Sequence, residues 1–254
     1  MFRVVIPARY ASVRLPGKAL CLIAGKPMVQ WVHERASAAG ATEVLIATDD
    51  ARIAAAARGF GAQAAMTAAQ HASGTDRIAE VARSRGWPAS EIVVNLQGDE
   101  PLMPAALIGQ VAAVLAADAG ADVATLAAPI EAVSELLDAN VVKVVVDARG
   151  RALYFSRAPI PWNRVAAAAD LMSQTDAGGA LRHIGIYAYR VAALLRLASL
   201  APSELERREK LEQLRALENG IAIRVAIACE TPGADVNTAA DLERVAQCIA
   251  ANTR

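Results

Sequence analysis

Short apolar runs alternate with helical repeats through the first half of this chain, and that alternation limits its fold more than any other feature. Arg3–Ile6 reads as a strand, and Met28–Ala39 as a helix with Pro27 at its first position, where a missing N–H costs nothing. Glu43–Ala47 reads as a second strand, followed by a helix over Arg52–Arg58 that Asp50 can cap. Gln63–Met66 is a short strand, Thr75–Arg85 a helix, and Ile92–Leu96 a run suited to burial on both faces. Pro104–Ala117 is helical and Asp122–Ala127 extended. Such alternation with short connections builds right-handed βαβ units, so the fold class is α/β with a mostly parallel sheet. Ligands of these sheets bind beyond the carboxyl ends of the strands.

The pattern changes after Asn140. Val141–Val146 and Ala152–Phe155 flank a turn and suggest an antiparallel pair. Arg164–Gly179 carries little structural signal and is expected to be mobile, with closure over a ligand left open. His183–Tyr189 is a further strand, Glu204–Leu217 one charged amphipathic helix ended by Asn219-Gly220, Ile221–Ala228 a strand and Ala239–Ala250 a closing helix. The expectation is a single domain over 1–254. Its main α/β core would lie at about 1–130 and 220–254, with a smaller inserted lobe at about 131–219. At 254 residues a full core is possible.

The formal net charge is zero, which argues against a nucleic-acid binder. No apolar run approaches the ~20 residues of a membrane span, so no stable membrane contact is expected. Three widely spaced cysteines, Cys21, Cys229 and Cys248, indicate neither a zinc site nor a disulfide framework, and a reduced, cytoplasmic setting is expected.

Against that neutral background, the loop after the first strand concentrates Arg9, Ser12, Arg14, Gly17 and Lys18. Arginine forks, a mobile lysine and backbone N–H groups are what a polyphosphate requires. The run Leu15-Pro16-Gly17-Lys18 is not a P-loop, because the upstream glycine is missing and Ala19 stands where Ser or Thr is needed. A solvated loop with incidental charges is the plain alternative. Asp99, beside Gly98 and just past the fourth strand, suits Mg²⁺, which takes one or two carboxylates and borrows phosphate oxygens for the rest; its alternative role is to cap a turn.

The segments Val5–Lys18 and Asn95–Pro101, with Ser73-Gly74-Thr75-Asp76-Arg77, Ala152–Arg157, Pro159–Trp162, Arg182–Tyr187 and Leu211–Arg215, resemble in order the 3-deoxy-manno-octulosonate (KDO) cytidylyltransferase family. The resemblance runs from Arg3 to about Val245. It implies a nucleotide-diphospho-sugar-transferase-like three-layer sandwich with a mixed, mostly parallel sheet, in which about 1–130 and 220–254 bind the nucleotide and the lobe at about 131–219 binds the sugar and forms the interface of a cytoplasmic homodimer. The implied reaction is CTP + KDO → CMP-KDO + pyrophosphate, with Mg²⁺, for lipopolysaccharide synthesis. It also implies catalytic roles for Arg14, Lys18 and Asp99, and nucleotide contacts at Pro7, Ala8, Arg9, Ser12, Arg14, Lys18, Ser73, Gly74, Thr75 and Arg77. Arg77 and the Pro7–Ala8 backbone are the candidates for reading cytosine. Gln97, Arg157, His183, Tyr187 and Glu212 are the sugar candidates, with Arg157 facing the carboxylate. His33 and His71 are read as structural, and the three tryptophans as packing. One departure stands out: the family's Gly-Val-Asp-Thr metal segment is here Asp235-Val236-Asn237-Thr238. Asp235, Asn237 or both could be the second metal ligand. An 8-amino-KDO or sialic-type sugar, a silent nucleotide-binding module and a related glycosyltransferase remain alternatives.

Overall fold

The computed structural model describes residues 1–11, 15–165 and 177–252. In chain order the elements are β1 (Arg3–Pro7), a 3₁₀ turn (Lys18–Leu20), β2 (Leu22–Ile23), β3 (Lys26–Pro27), α1 (Met28–Ser37), β4 (Glu43–Thr48) and α2 (Ala51–Gly59). Next come β5 (Gln63–Met66), α3 (Gly74–Ser84), β6 (Ile92–Asn95), α4 (Ala105–Ala117), β7 (Val123–Pro129) and α5 (Val133–Leu137). The remainder is β8 (Lys143–Val146), β9 (Ala152–Ser156), β10 (Leu181–Arg190), α6 (Val191–Ser199), α7 (Glu204–Glu209), α8 (Gln213–Glu218), β11 (Ile223–Ile227) and α9 (Ala239–Asn252).

Side chains alternate across a strand, and here both sets are apolar. Val4, Ile6, Val94 and Leu96 pack with Val29 and Val32 of α1, Ile53 of α2, and Leu107 and Val111 of α4. Val5 and Val93 face the other way, onto Ile78 and Val81 of α3, Leu194 and Leu197 of α6, and Leu214 of α8. Helices therefore cover both faces of one sheet, giving three layers. Strand order is β11-β7-β10-β6-β1-β4-β5. The β6, β1, β4 and β5 neighbours are parallel, as are β11 and β7, whereas β10 runs antiparallel to both β6 and β7. The α/β, mixed and mostly parallel architecture is as expected. The 131–219 span is not set apart from the sheet, since β10 lies within it and joins β6 to β7.

Three local features differ from the sequence reading. A hairpin of β2 and β3 turns at Ala24-Gly25, both with positive φ. Helices α5 and α6 have no counterpart in that reading. The single helix expected over Glu204–Leu217 is broken: α7 stops where Lys210 takes a left-handed conformation (φ 56°), and α8 begins after Glu212. That kink turns Leu211 into the core, where it is 6% exposed.

Lys143 is fully buried at the start of β8, and its ammonium donates to the carbonyls of Asp138, Val141 and Arg157 at 2.6–2.8 Å. Three donors meet three acceptors, which is the arrangement a buried ammonium needs. Burial holds its pKa below the ordinary lysine value. Among the described residues no helix is long and apolar enough to cross a membrane.

Candidate active site

Three backbone segments meet at the carboxyl ends of β1 and β6. Gly98, just past β6, lies so close to β1 that a Cβ there would sit 2.8 Å from the Pro7 carbonyl oxygen. The first residue of α3 presses on the same point: a Cβ on Gly74 would be 3.1 Å from Pro7 Cγ and 3.7 Å from Gln97 Nε2. Helix α3 is started by a capping box, in which Asp76 N–H donates to Ser73 Oγ and Ser73 N–H to Asp76 Oδ2, both at 3.1 Å. Its N-terminus, the positive end of the helix dipole, opens on the space between the segments.

That space is a cleft of about 450 Å³, within the range that takes a small-molecule ligand. Pro7, Ala8, Arg9, Lys18, Ser73, Gly74, Arg77, Gln97, Asp99 and Asn237 all line it. Lys18 Nζ donates to Asp99 Oδ2 at 2.6 Å and so ties the first loop to the turn after β6. The loop is closed on itself by Gly17 N–H donating to the Tyr10 carbonyl, and Arg52 stacks over the Tyr10 ring at 3.4 Å. Arg9 is exposed at the cleft. Ser12 and Arg14 lie outside the described residues, as does most of the 164–179 stretch.

The C-terminal segment is docked against the same turn. Val236, fully buried, donates its N–H to the Asp99 carbonyl at 2.9 Å. Asn237 faces the cleft, and its Nδ2 donates to Asp235, which is exposed. Glu100 Oε2 is shut off from solvent with no hydrogen-bond partner. Burial, and then the charges of Asp99 and Asp235, push its carboxyl up to about 8. The charges of Asp99 and Asp235 thus share one wall with Glu100, which keeps its proton at neutral pH. Among the described residues no group of three or more His, Cys, Asp or Glu side chains is set to hold a metal alone.

Arg77 lines the cleft, but its guanidinium, 3% exposed, is bonded to Asp49 at 3.1 Å and to Thr67. The Ala8 N–H is engaged as well, donating to Ala47 O at 2.8 Å. His71, read from sequence as structural, stands in the cleft wall with Nε2 against Glu80, which also accepts from Ala68 N–H. Its position two residues before Ser73 was the available signal.

The sugar candidates divide. Gln97 lines both the large cleft and a smaller one of about 80 Å³, which Thr75, Tyr187, Tyr189 and Glu212 also line. Thr75 thus belongs to the second space and not the first, and its hydroxyl donates to Glu212 Oε2. Burial raises the Glu212 carboxyl pKa, while hydrogen bonds from Thr75 and Ser73 act to lower it. Arg157 lines neither space; its Nε donates to the Glu209 carbonyl and its Nη1 to the Ala139 carbonyl.

His183 also lines neither. It packs edge-on against Phe155, and burial takes its pKa down to about 3. Its Nε2 lies 2.9 Å from Thr125 Oγ1, which also contacts the carbonyls of Ile184 and Ile186. The single Thr125 proton goes to a carbonyl, so the ring donates from Nε2. A neutral imidazole in the fold and a protonated one in the unfolded chain set the sign: stability is complete above pH 6.5 and falls as pH drops toward 3. At pH 5 the loss is about 2 kcal/mol. In urea unfolding, the decrease in stability from pH 7 to pH 5 is expected to be about 2 kcal/mol smaller for His183→Asn. Equal decreases in the two proteins would refute this.

The sequence pattern of the family described as cytidylyltransferase matches residues 3–223. The chain belongs to the cytidylyltransferase family. This cytidylyltransferase is 54% identical over 250 residues to the 3-deoxy-manno-octulosonate cytidylyltransferase of Thioalkalivibrio sulfidiphilus, covering 98% of this chain and 99% of that one. It is 58% identical to the protein of the same description from Cellvibrio japonicus, with 96% of each chain covered. Its fold superposes with a TM-score of 0.89 on a solved CMP:2-keto-3-deoxy-manno-octonic acid synthetase complexed with CTP. That structure is 43% identical, with 99% of this chain and 100% of that chain covered.

Proposed function

We propose that this cytidylyltransferase transfers the cytidylyl group of CTP to the anomeric hydroxyl of 3-deoxy-manno-octulosonate, releasing pyrophosphate. The observation that carries the reading is the Lys18–Asp99 pair, set with the α3 N-terminus in one cleft at the strand ends. The full-length identity to relatives of that description supports the choice of substrates.

In the reaction the sugar oxygen bonds to the α-phosphorus, the bond to the β-phosphate oxygen breaks, and pyrophosphate leaves with the electron pair. Charge builds on phosphoryl oxygens, so positioning and electrostatics do most of the catalysis. Lys18 and Arg9 face the triphosphate, with the dipole of α3 adding to their field. The sugar, an acidic polyol, is placed at Gln97, Tyr187 and Glu212 in the adjoining space.

Magnesium belongs to the same proposal. The donor set fits a cation that takes few protein oxygens and completes its shell from phosphate and water. The orphaned Glu100 oxygen, beside the charges of Asp99 and Asp235, marks a wall that a divalent ion would relieve. Asp99 would hold it, with Asp235 or Asn237. Bound there, the ion neutralises phosphate charge and acidifies the attacking hydroxyl. Asn237 brings no charge, whereas Asp235 already influences Glu100. Asp235→Asn is therefore expected to raise the Mg²⁺ concentration for half-maximal activity severalfold, more than Asn237→Ala does. An unchanged Mg²⁺ titration for Asp235→Asn would refute this.

The deciding experiment is pyrophosphate release from CTP or UTP with KDO, its 8-amino analogue or a sialic acid, with and without Mg²⁺. Release confined to CTP and KDO supports the proposal; CTP binding without release from any acidic sugar sinks it.

A further inference from the structure

We infer that Thr75 is a positioning residue for the sugar subsite: its hydroxyl fixes one oxygen of Glu212 so that the other is presented to a sugar hydroxyl. Thr75 lies in the first turn of α3, 2% exposed, and donates to Glu212 Oε2. The second oxygen, Glu212 Oε1, is buried with no hydrogen-bond partner, and so is the Tyr187 hydroxyl. Both residues line the smaller cleft. Two orphaned polar atoms in one space, a carboxylate acceptor and a phenol that can donate, are rare in a finished core and call for a partner that both donates and accepts. A polyhydroxylated ligand meets that description.

The nearest cation interacts with Glu212 through space and makes no hydrogen bond to it. Arg215 Nη2 is 3.8 Å from Oε1, and its guanidinium is committed to Glu206 at 2.6 and 2.7 Å and to the Leu200 carbonyl. Thr75, fully buried and beside Ser73, whose side chain also bonds the Glu212 carboxyl, thus fixes the orientation of Glu212. It also stands next to Ser73 and Gly74, which line the larger cleft. The first turn of α3 is therefore a shared wall, with one residue pair facing the nucleotide space and the next residue serving the sugar space. This reading replaces the nucleotide contact that the sequence suggested for Thr75.

The inference rests on the proposed function, and its test keeps the two apart. The sugar used is whichever member of the acidic-sugar panel the unmodified protein turns over. A wrong sugar assignment changes that substrate, while a wrong role for Thr75 changes which KM moves. Thr75→Val keeps the shape and removes the hydroxyl; Thr75→Ser keeps the hydroxyl. Thr75→Val is expected to raise the sugar KM about tenfold with the CTP KM within about twofold of the unmodified protein, and Thr75→Ser to restore the sugar KM. A rise in the CTP KM instead, a serine variant as impaired as the valine one, or no change in either KM would overturn the assignment.

Discussion

Asp99→Asn is expected to lower kcat/KM by about 10²–10³-fold while leaving the fold intact. The substitution is nearly isosteric and removes one negative charge, at a side chain that is partly exposed in the cleft and contributes no apolar packing. Two effects add. Lys18, now 2.6 Å from Asp99 Oδ2, loses the charged partner that fixes its ammonium over the cleft and is left with at most a neutral amide oxygen. On the proposed function, the site also loses the carboxylate that would hold a cation against phosphate. Removing one preorganised electrostatic group from a developing phosphoryl charge costs rates of this order. The loss should persist at saturating Mg²⁺, because the misplaced lysine is not repaired by more metal. Pyrophosphate-release kinetics at several Mg²⁺ concentrations, with a thermal midpoint within a few degrees of the unmodified protein, provide the check. A loss below tenfold, or full recovery with excess Mg²⁺, would show that Asp99 does not organise the chemistry.

Much of this arrangement could be read from the chain because its causes are local. Val4–Ile6 and Ile92–Val94 announce strands buried on both faces, and Asp50 caps α2 through the Arg52 N–H at 2.8 Å, as its place before the helix suggests. The loops that leave the carboxyl ends of such strands lie at the ligand edge of the sheet, so Lys18 and Asp99 were legible as residues of one edge, though not as an ion pair. The remainder depended on contacts distant in sequence. Nothing in Glu204–Leu217 marks a break at Lys210, whose left-handed conformation accompanies the burial of Leu211 in a core built from distant segments. The Ala24-Gly25 turn lacks the Asn or Asp that marks tight hairpins. Arg77 reads as a free cation until Asp49 and Thr67 are brought to it by β4 and the loop after β5. Thr75 reads as one of a nucleotide-binding run, and only α8, arriving 137 residues later, turns it toward Glu212. Lys143 interrupts an apolar strand in a way that a solvent-facing lysine would also produce.

Gly98→Ala should be nearly as damaging as losing Asp99, for a different reason. The glycine needs no unusual φ; its requirement is space. A methyl group there would meet the Pro7 carbonyl oxygen at 2.8 Å, with Ala8 Cβ at 3.7 Å behind it. Neither side can yield easily. Pro7 ends β1, held in register between β4 and β6, and Gly74 of α3 lies close enough that even a Cβ there would reach within 3.1 Å of its ring. The clash must therefore move the turn that carries Gln97 and Asp99. Overpacking of this kind costs about 1–3 kcal/mol, which a core of this size survives. Activity is more sensitive, because a displacement near 1 Å of a group that positions the reacting atoms lowers the rate about 10²-fold. The expected result is a folded protein, slightly less stable in urea, with kcat reduced about 10²-fold. Gly98→Ala and Asp99→Asn should combine to much less than the product of their separate losses, since both act by removing the Asp99 carboxylate from its place beside Lys18. Kinetics of the two single variants and the double variant test this, and full multiplication of the losses would mean that Gly98 serves something other than the position of Asp99.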